Sequence, residues 1–114
     1  MYDIHDAPVF KITFNVLRDT HLLRGKFPKS EKYALGGRIE DALLAVLTAI
    51  IEAGRAKREF KIAPIEYALL KIEIATILIR LAREISILQE KEYLDLIERL
   101  DRAGKMLGGW RRSL

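Results

Sequence analysis

The sequence predicts an all-α fold, an antiparallel up-down bundle of four helices. Hydrophobic residues recur at helical spacing over long segments, and turn-forming residues are scarce and fall between those segments. The chain has 114 residues, half of them hydrophobic and 32% charged, but only 7 Gly and 3 Pro. A fold of many short strands would need more turn residues. We therefore expect a single helical domain over residues 1–114.

The first two helices are predicted on either side of a Gly-to-Pro break. Pro8 begins the first helix, expected over residues 8–23, because a first helical turn does not need the proline N–H. The break at residues 24–29, which contains Gly25 and Pro28, ends this helix. Ser30 is a suitable N-cap for the second helix, which is expected over residues 31–57.

The third and fourth predicted helices differ in how their apolar residues are distributed. The third, over residues 64–88, carries one narrow charged stripe, and most of its remaining surface is Ile, Leu or Ala. The fourth runs from residue 89 or 90 to Gly108-Gly109 and has one apolar and one densely charged face. The third helix is too widely apolar for one side of a small bundle, which predicts self-association.

Two features of the second helix require tertiary partners. Gly36 and Gly37 each cost about 1 kcal/mol of helix propensity, which predicts the close approach of a neighbouring backbone. Glu40 falls on the apolar side of the helix, where a buried carboxylate needs a partner. In an antiparallel hairpin it lies level with Arg80 and Arg83. One of these arginines, or an arginine of a neighbouring subunit, is the predicted partner, and exposure of Glu40 to water is the alternative.

Residues that carry catalysis or bind metals are poorly represented. The chain has no cysteine, and its histidines, His5 and His21, lack a metal-ligand spacing. We therefore predict no catalytic, metal or cofactor site; an enzyme would need a polar, water-excluding cleft lined by Glu40 and His21. The N-terminal residues lack the features of a signal peptide, and the longest uncharged stretch, residues 42–51, is too short to span a bilayer. This predicts a cytoplasmic protein without a membrane segment.

The net charge of +4 favours a polyanionic partner. Phosphate contacts need only exposed cations, so RNA or DNA binding without sequence-specific readout is one prediction. Solvated faces are the alternative for most of the basic residues. The basic groups that acids offset least are Arg24-Lys26-Lys29, Arg55-Lys57-Arg58 and Arg111-Arg112.

Four short blocks carry a family resemblance: residues 27–30 (FPKS), 35–40 (LGGRIE), 78–82 (LIRLA) and 104–110 (GKMLGGW). In their order and spacing they resemble the accessory variability determinant (Avd) proteins of diversity-generating retroelements. More loosely, they resemble the four-helix proteins encoded within intervening sequences of bacterial 23S rRNA genes. The likeness covers nearly the whole chain, and its most specific part is the C-terminal Gly-Gly-Trp.

The resemblance implies a four-helix bundle that assembles as a pentameric barrel and binds RNA and DNA with little sequence preference. It also implies a partner, the reverse transcriptase of the retroelement, in mutagenic retrohoming. The alternatives are a protein of the 23S rRNA intervening-sequence type and a purely structural homo-oligomer with no nucleic-acid role.

Candidate site residues follow from the basic groups together with the resemblance, which implies the roles of Arg38, Arg80 and Arg83. Trp110 is expected to anchor the last turn against the core or to seal a subunit interface, rather than to stack on a base. The expected nucleic-acid- or partner-binding residues are Lys26, Lys29, Arg38, Arg55, Arg58, Arg80, Arg83, Arg111 and Arg112. The expected structural or interface residues are Glu40, Gly36, Gly37, Gly108, Gly109 and Trp110.

Overall fold

In the computed structural model, which describes residues 3–114, the chain is all-helical, as predicted. Short 3-10 turns at Ile4–Asp6 and Arg58–Phe60 precede the first helix and the fourth. Met1 and Tyr2 lie outside this range. The prediction that the N-terminal residues are not a signal peptide falls partly on these two residues. The helices are α1 (Pro8–Arg24), the single-turn α2 (Lys29–Lys32), α3 (Leu35–Arg55), α4 (Ile62–Glu84) and α5 (Glu90–Arg112).

The four long helices form the predicted bundle. Going around it, α1 packs against α3, α3 against α4, α4 against α5, and α5 against α1. The bundle is 44 Å long and 20–21 Å across, and α1 and α4 occupy opposite corners. One end carries the connections 25–34 and 85–89, and the other carries the connection 56–61 and residues 113–114. No helix between residues 3 and 114 combines the length and the apolarity that a membrane span requires.

The most extensive helix contact lies between α3 and α4. Alanines recur at every seventh position on both helices. The two on α3, Ala42 and Ala49, are at least 95% buried, and the three on α4 are fully buried. Counted outward from the loop at residues 56–61, Ala49 is level with Ala68, and Ala42 with Ala75. Small side chains at such positions let two helix axes approach closely. We call Ala42, Ala49, Ala68, Ala75 and Ala82 the alanine seam.

Helix α4 is apolar on two opposite faces. One face carries buried residues such as Ile65, Ile72 and Ile79. The other carries large apolar side chains that repeat at intervals of three and four residues and are exposed to solvent; for example, Ile77 is 55% exposed. We call this second face the α4 stripe, and it consists of Tyr67, Leu70, Ile74, Ile77 and Leu81 together with Ile85 at the C-cap of the helix.

The predicted second helix is interrupted. Helix α2 ends at Lys32, and α3 begins only at Leu35. In a continuous helix the carbonyl of Lys32 would accept from the N–H four residues later, but here it accepts from Arg24 Nε at 2.6 Å. A side chain of α1 therefore takes up a hydrogen bond that the helix would otherwise make, which explains the break.

Two predicted helix ends are wrong. Helix α4 ends at Glu84 because Ser86 has a left-handed backbone with φ 63°, and the N–H of Ile87 caps the helix by donating to the Ala82 carbonyl at 2.8 Å. Helix α5, by contrast, continues through Gly108 and Gly109. No glycine in the described chain has a positive φ, so neither of these glycines provides the left-handed cap that would end the helix.

Candidate nucleic-acid interface

Two of the three predicted basic groups meet at one end of the bundle. Arg58, in the 3-10 turn before α4, donates from Nη2 to the backbone carbonyl of Ser113 at 3.1 Å. This contact brings the group after α3 next to the group at the end of α5. We call this surface the basic end, and it consists of Arg55, Lys57, Arg58, Arg111 and Arg112, all of them exposed.

Most of the charge at the basic end is not neutralised within the chain. Arg111 Nη2 lies 3.5 Å from Glu66 Oε1. Among the described residues, Arg55, Lys57 and Arg112 have no carboxylate partner. Exposed cations without intramolecular partners can contact phosphate oxygens without first breaking an ion pair.

The first predicted basic group, Arg24-Lys26-Lys29, lies at the opposite end of the bundle. There, carboxylates of the chain pair with more of its charge. Lys26 Nζ donates to Glu92 Oε2 at 2.6 Å. This contact and the N–H of Gln89 lower the pKa of the Glu92 carboxyl. Lys29 and Arg38 are also near this end and are exposed. The structure thus separates these three residues from the basic end.

Arg80 and Arg83 lie on the last turns of α4. Arg83 Nη2 is 3.0 Å from Glu84 Oε1, a contact that raises the pKa of Arg83, and the guanidinium carbon lies 4.0 Å from the centroid of the Tyr93 ring. Arg83 therefore helps to fasten α4 to α5. Arg80 is more exposed, and its Nε lies 3.9 Å from Glu84.

Glu40 is paired, but with α1. Its Oε2 accepts from Arg24 Nη1, and its Oε1 lies 2.6 Å from His21 Nδ1. The prediction that this carboxylate has a partner is confirmed. The choice of Arg80 or Arg83 as that partner is wrong, because Glu40 lies on the side of α3 that faces α1 rather than α4.

The same arginine accounts for the glycine pair at the start of α3. A Cβ atom at Gly36 would lie 2.9 Å from Arg24 Cγ, closer than packed atoms approach, whereas one at Gly37 would make only ordinary contacts. The prediction of a close approach is therefore correct for Gly36, but a side chain makes the approach and not a backbone.

Removing the Glu40 carboxylate is expected to destabilise the bundle. The side chains of Glu40 and Arg24 are only 15% and 21% exposed, and hydrogen bonds to charged groups contribute about 1.5–3 kcal/mol. We expect Glu40→Ala to lower the free energy of unfolding by about 2 kcal/mol in urea titrations. In a double-mutant cycle, Arg24→Ala should cost less once Glu40 is gone, and the cost that remains reflects the hydrogen bond of Arg24 to the Lys32 carbonyl. Additive losses, or unchanged stability and assembly in Glu40→Gln, would contradict this role.

Trp110 lies in the last turn of α5 and is partly buried against the core. Lys61 Nζ lies 5.9 Å from the ring centroid and donates to the Ala53 carbonyl at 2.6 Å. The indole thus connects α5 to the loop between α3 and α4. This agrees with the interpretation that Trp110 anchors the last turn against the core. Gly108 and Gly109 precede it within the helix, and the Arg112 side chain reaches back over them.

The histidines do not form a water-excluding catalytic cleft. His21 and Glu40 do lie together, but the His21 side chain is 69% exposed, and the groove beside them is mainly apolar. His5 Nδ1 is 2.6 Å from Asp3 Oδ1 at the surface. The backbone N–H of His5 and, after it, this side-chain contact lower the pKa of Asp3. Residues 3–114 contain no group of three side chains placed to hold a metal ion.

Sequence patterns did not reveal the role of Arg24, which organises the end of the bundle opposite the basic end. Its partners, the Lys32 carbonyl and Glu40, lie 8 and 16 residues along the chain. Neither separation is a local motif. The only available signal was that both Glu40 and the glycine pair needed a tertiary partner.

The described chain is therefore a small all-helical bundle with one exposed cationic end. The chain is a member of the bAvd-like family, whose model matches residues 11–114. The resemblance based on the four short blocks is thereby confirmed, and the family consists of accessory proteins of a non-catalytic type. Comparison with curated proteins and comparison with solved structures each found no match.

Proposed function

We propose that this chain is a non-catalytic accessory subunit of a diversity-generating retroelement, acting in the cytoplasm. It binds template RNA or its cDNA through the basic end and partners the reverse transcriptase in mutagenic retrohoming. Membership of the bAvd-like family supports the accessory role. The basic end supports the nucleic-acid role.

The observation that carries this proposal is the convergence of two chain segments on one cationic surface. Residues 55–58 and 111–112 are more than 50 positions apart, and the hydrogen bond from Arg58 to Ser113 joins them. Backbone phosphates require a surface of this kind, with several exposed cations and no particular arrangement of base-reading groups. Low sequence preference is the expected consequence.

The proposed working form is a homo-oligomer, with the pentameric ring implied by the family resemblance. In a ring the basic end recurs once in every subunit, so five modest cationic surfaces become one band. A net charge of +4 per chain is then sufficient for strong binding, because the number of phosphates contacted grows with the number of subunits.

Binding to a labelled structured RNA at increasing salt tests the nucleic-acid role. We expect the affinity to fall steeply, with a slope of log K against log salt of several units, because each neutralised phosphate contributes about 0.7–0.9 to the slope. No binding even at low salt would contradict the proposal and leave the structural homo-oligomer as the better description. Retention of the RNA by immobilised reverse transcriptase, with and without this protein, tests the partnership.

A further inference from the structure

The α4 stripe carries six of the fourteen large apolar side chains that the described chain leaves exposed. It extends over nearly the whole helix and lies opposite the face that packs into the core. Leu70 and Ile77 are 51% and 55% exposed. Contiguous apolar surface of this extent marks a contact with another molecule more often than a surface left in water.

A second apolar surface lies between α1 and α3. Phe14 and Leu44 form its two sides and are 49% and 56% exposed. It is a groove rather than a ridge, with the Glu40–His21 pair near one end. A groove of this kind accommodates the ridge of side chains that a helix presents. We call it the α1/α3 groove, and its apolar residues are Phe14, Leu17, Leu22 and Leu44.

Charges along one edge of the α4 stripe and on the α1 side of the groove are opposite in sign. Glu66 and Glu73 lie seven residues apart along one edge of the α4 stripe, and both are exposed. Lys11 and Arg18, also seven residues apart and exposed, form a basic rim on the α1 side of the groove, and Arg18 also contacts Asp19 at 3.0 Å. Asp41 lines the opposite, α3 side. Among the described residues, neither Glu73 nor Lys11 makes an ion pair. A second copy of this chain therefore offers the acidic edge of its stripe to the basic rim of the groove.

We propose that the α4 stripe of one copy packs into the α1/α3 groove of the next copy, an inference that rests on the self-association in the proposed function. Because α1 and α4 occupy opposite corners of the bundle, the two surfaces face different directions, and one copy uses them for two different neighbours. Such a head-to-tail contact closes into a ring when the rotation permits it. A two-fold contact between two stripes would stop at a dimer.

Two charge substitutions and their mixture test this arrangement without nucleic acid. Ile77→Glu disrupts the stripe and leaves the groove intact, and Phe14→Glu does the reverse. Both side chains are about half exposed, so each variant should keep the circular dichroism and melting behaviour of the original. By light scattering after size exclusion, we expect each variant alone to be a monomer. A mixture should form one intact contact and give a particle of twice the monomer mass.

Other outcomes overturn the proposal in distinguishable ways. If Phe14→Glu still assembles while Ile77→Glu does not, the stripes pair with each other. If the mixture gives no complex, or if the unmodified chain is a monomer, the head-to-tail contact does not form. Leu94→Glu, at a 54% exposed leucine of α5 outside both surfaces, is the matched control and should assemble normally. RNA binding at the basic end is measured separately, so its loss and the loss of assembly are distinguishable.

Discussion

Replacing Arg55, Arg58, Arg111 and Arg112 with alanine is expected to lower the affinity for RNA by roughly two to three orders of magnitude near 0.1 M salt. The slope of log K against log salt should fall by about three units for each basic end that contacts the RNA, because each lost phosphate contact removes 0.7–0.9 of a unit. These side chains are exposed, so the melting temperature should change little. Titration of the variant against the same RNA at four or five salt concentrations provides both numbers.

The matched control removes the same charge elsewhere. Lys29, Arg38, Arg80 and Lys91 lie on other parts of the bundle, are exposed and can be replaced with alanine together. We expect this variant to lose much less affinity than the basic-end variant. Equal losses would show that binding depends on the net charge of the chain, and the assignment of the interface to the basic end would then be wrong.

Placing a leucine at position 75 is expected to cause the largest loss of stability. Ala75 is fully buried, and the alanine seam leaves no room for three additional carbon atoms unless α3 and α4 separate. Overpacking of a core typically costs 1–3 kcal/mol, and we expect the upper part of that range. For a domain of this size, about 2–3 kcal/mol lowers the melting temperature by about 10 °C.

Ala63→Leu provides the control, because Ala63 lies in the first turn of the same helix and is exposed. The same chemical change should be close to neutral there. Thermal melts followed by circular dichroism measure both variants. A tolerated leucine at position 75 would mean that the close approach of α3 and α4 does not depend on small side chains.

The sequence predicted the helices well because the signals for them are local. Apolar periodicity and Pro8 act within a few residues, and they placed the first and fourth helices close to where they begin. The prediction that Ser30 caps the second helix is wrong, because Ser30 lies inside the single-turn α2, whose N-cap is Pro28. The end of α4 was missed because Ser86 adopts a left-handed backbone that usually requires glycine. The end of α5 was missed for the opposite reason, since Gly108 and Gly109 remain helical.

The candidate site was predictable in composition but not in arrangement. Three basic groups are visible in the sequence, yet their grouping in space depends on where helices end. Because α5 continues to Arg112, it brings the last group to the loop that holds Arg58. The partner of Glu40 was missed because helical periodicity places a residue on the apolar side without saying which neighbouring helix it faces.

The hairpin formed by α3 and α4 also has a consequence for the order in which the protein forms. Only residues 56–61 separate the two helices, so the entropic cost of closing this loop is small. The alanine seam then adds contacts in sequence from the loop outward, each at little further entropic cost. Proteins dominated by such short-range contacts fold quickly. The hairpin is thus suited to act as the folding nucleus onto which α1 and α5 dock afterwards.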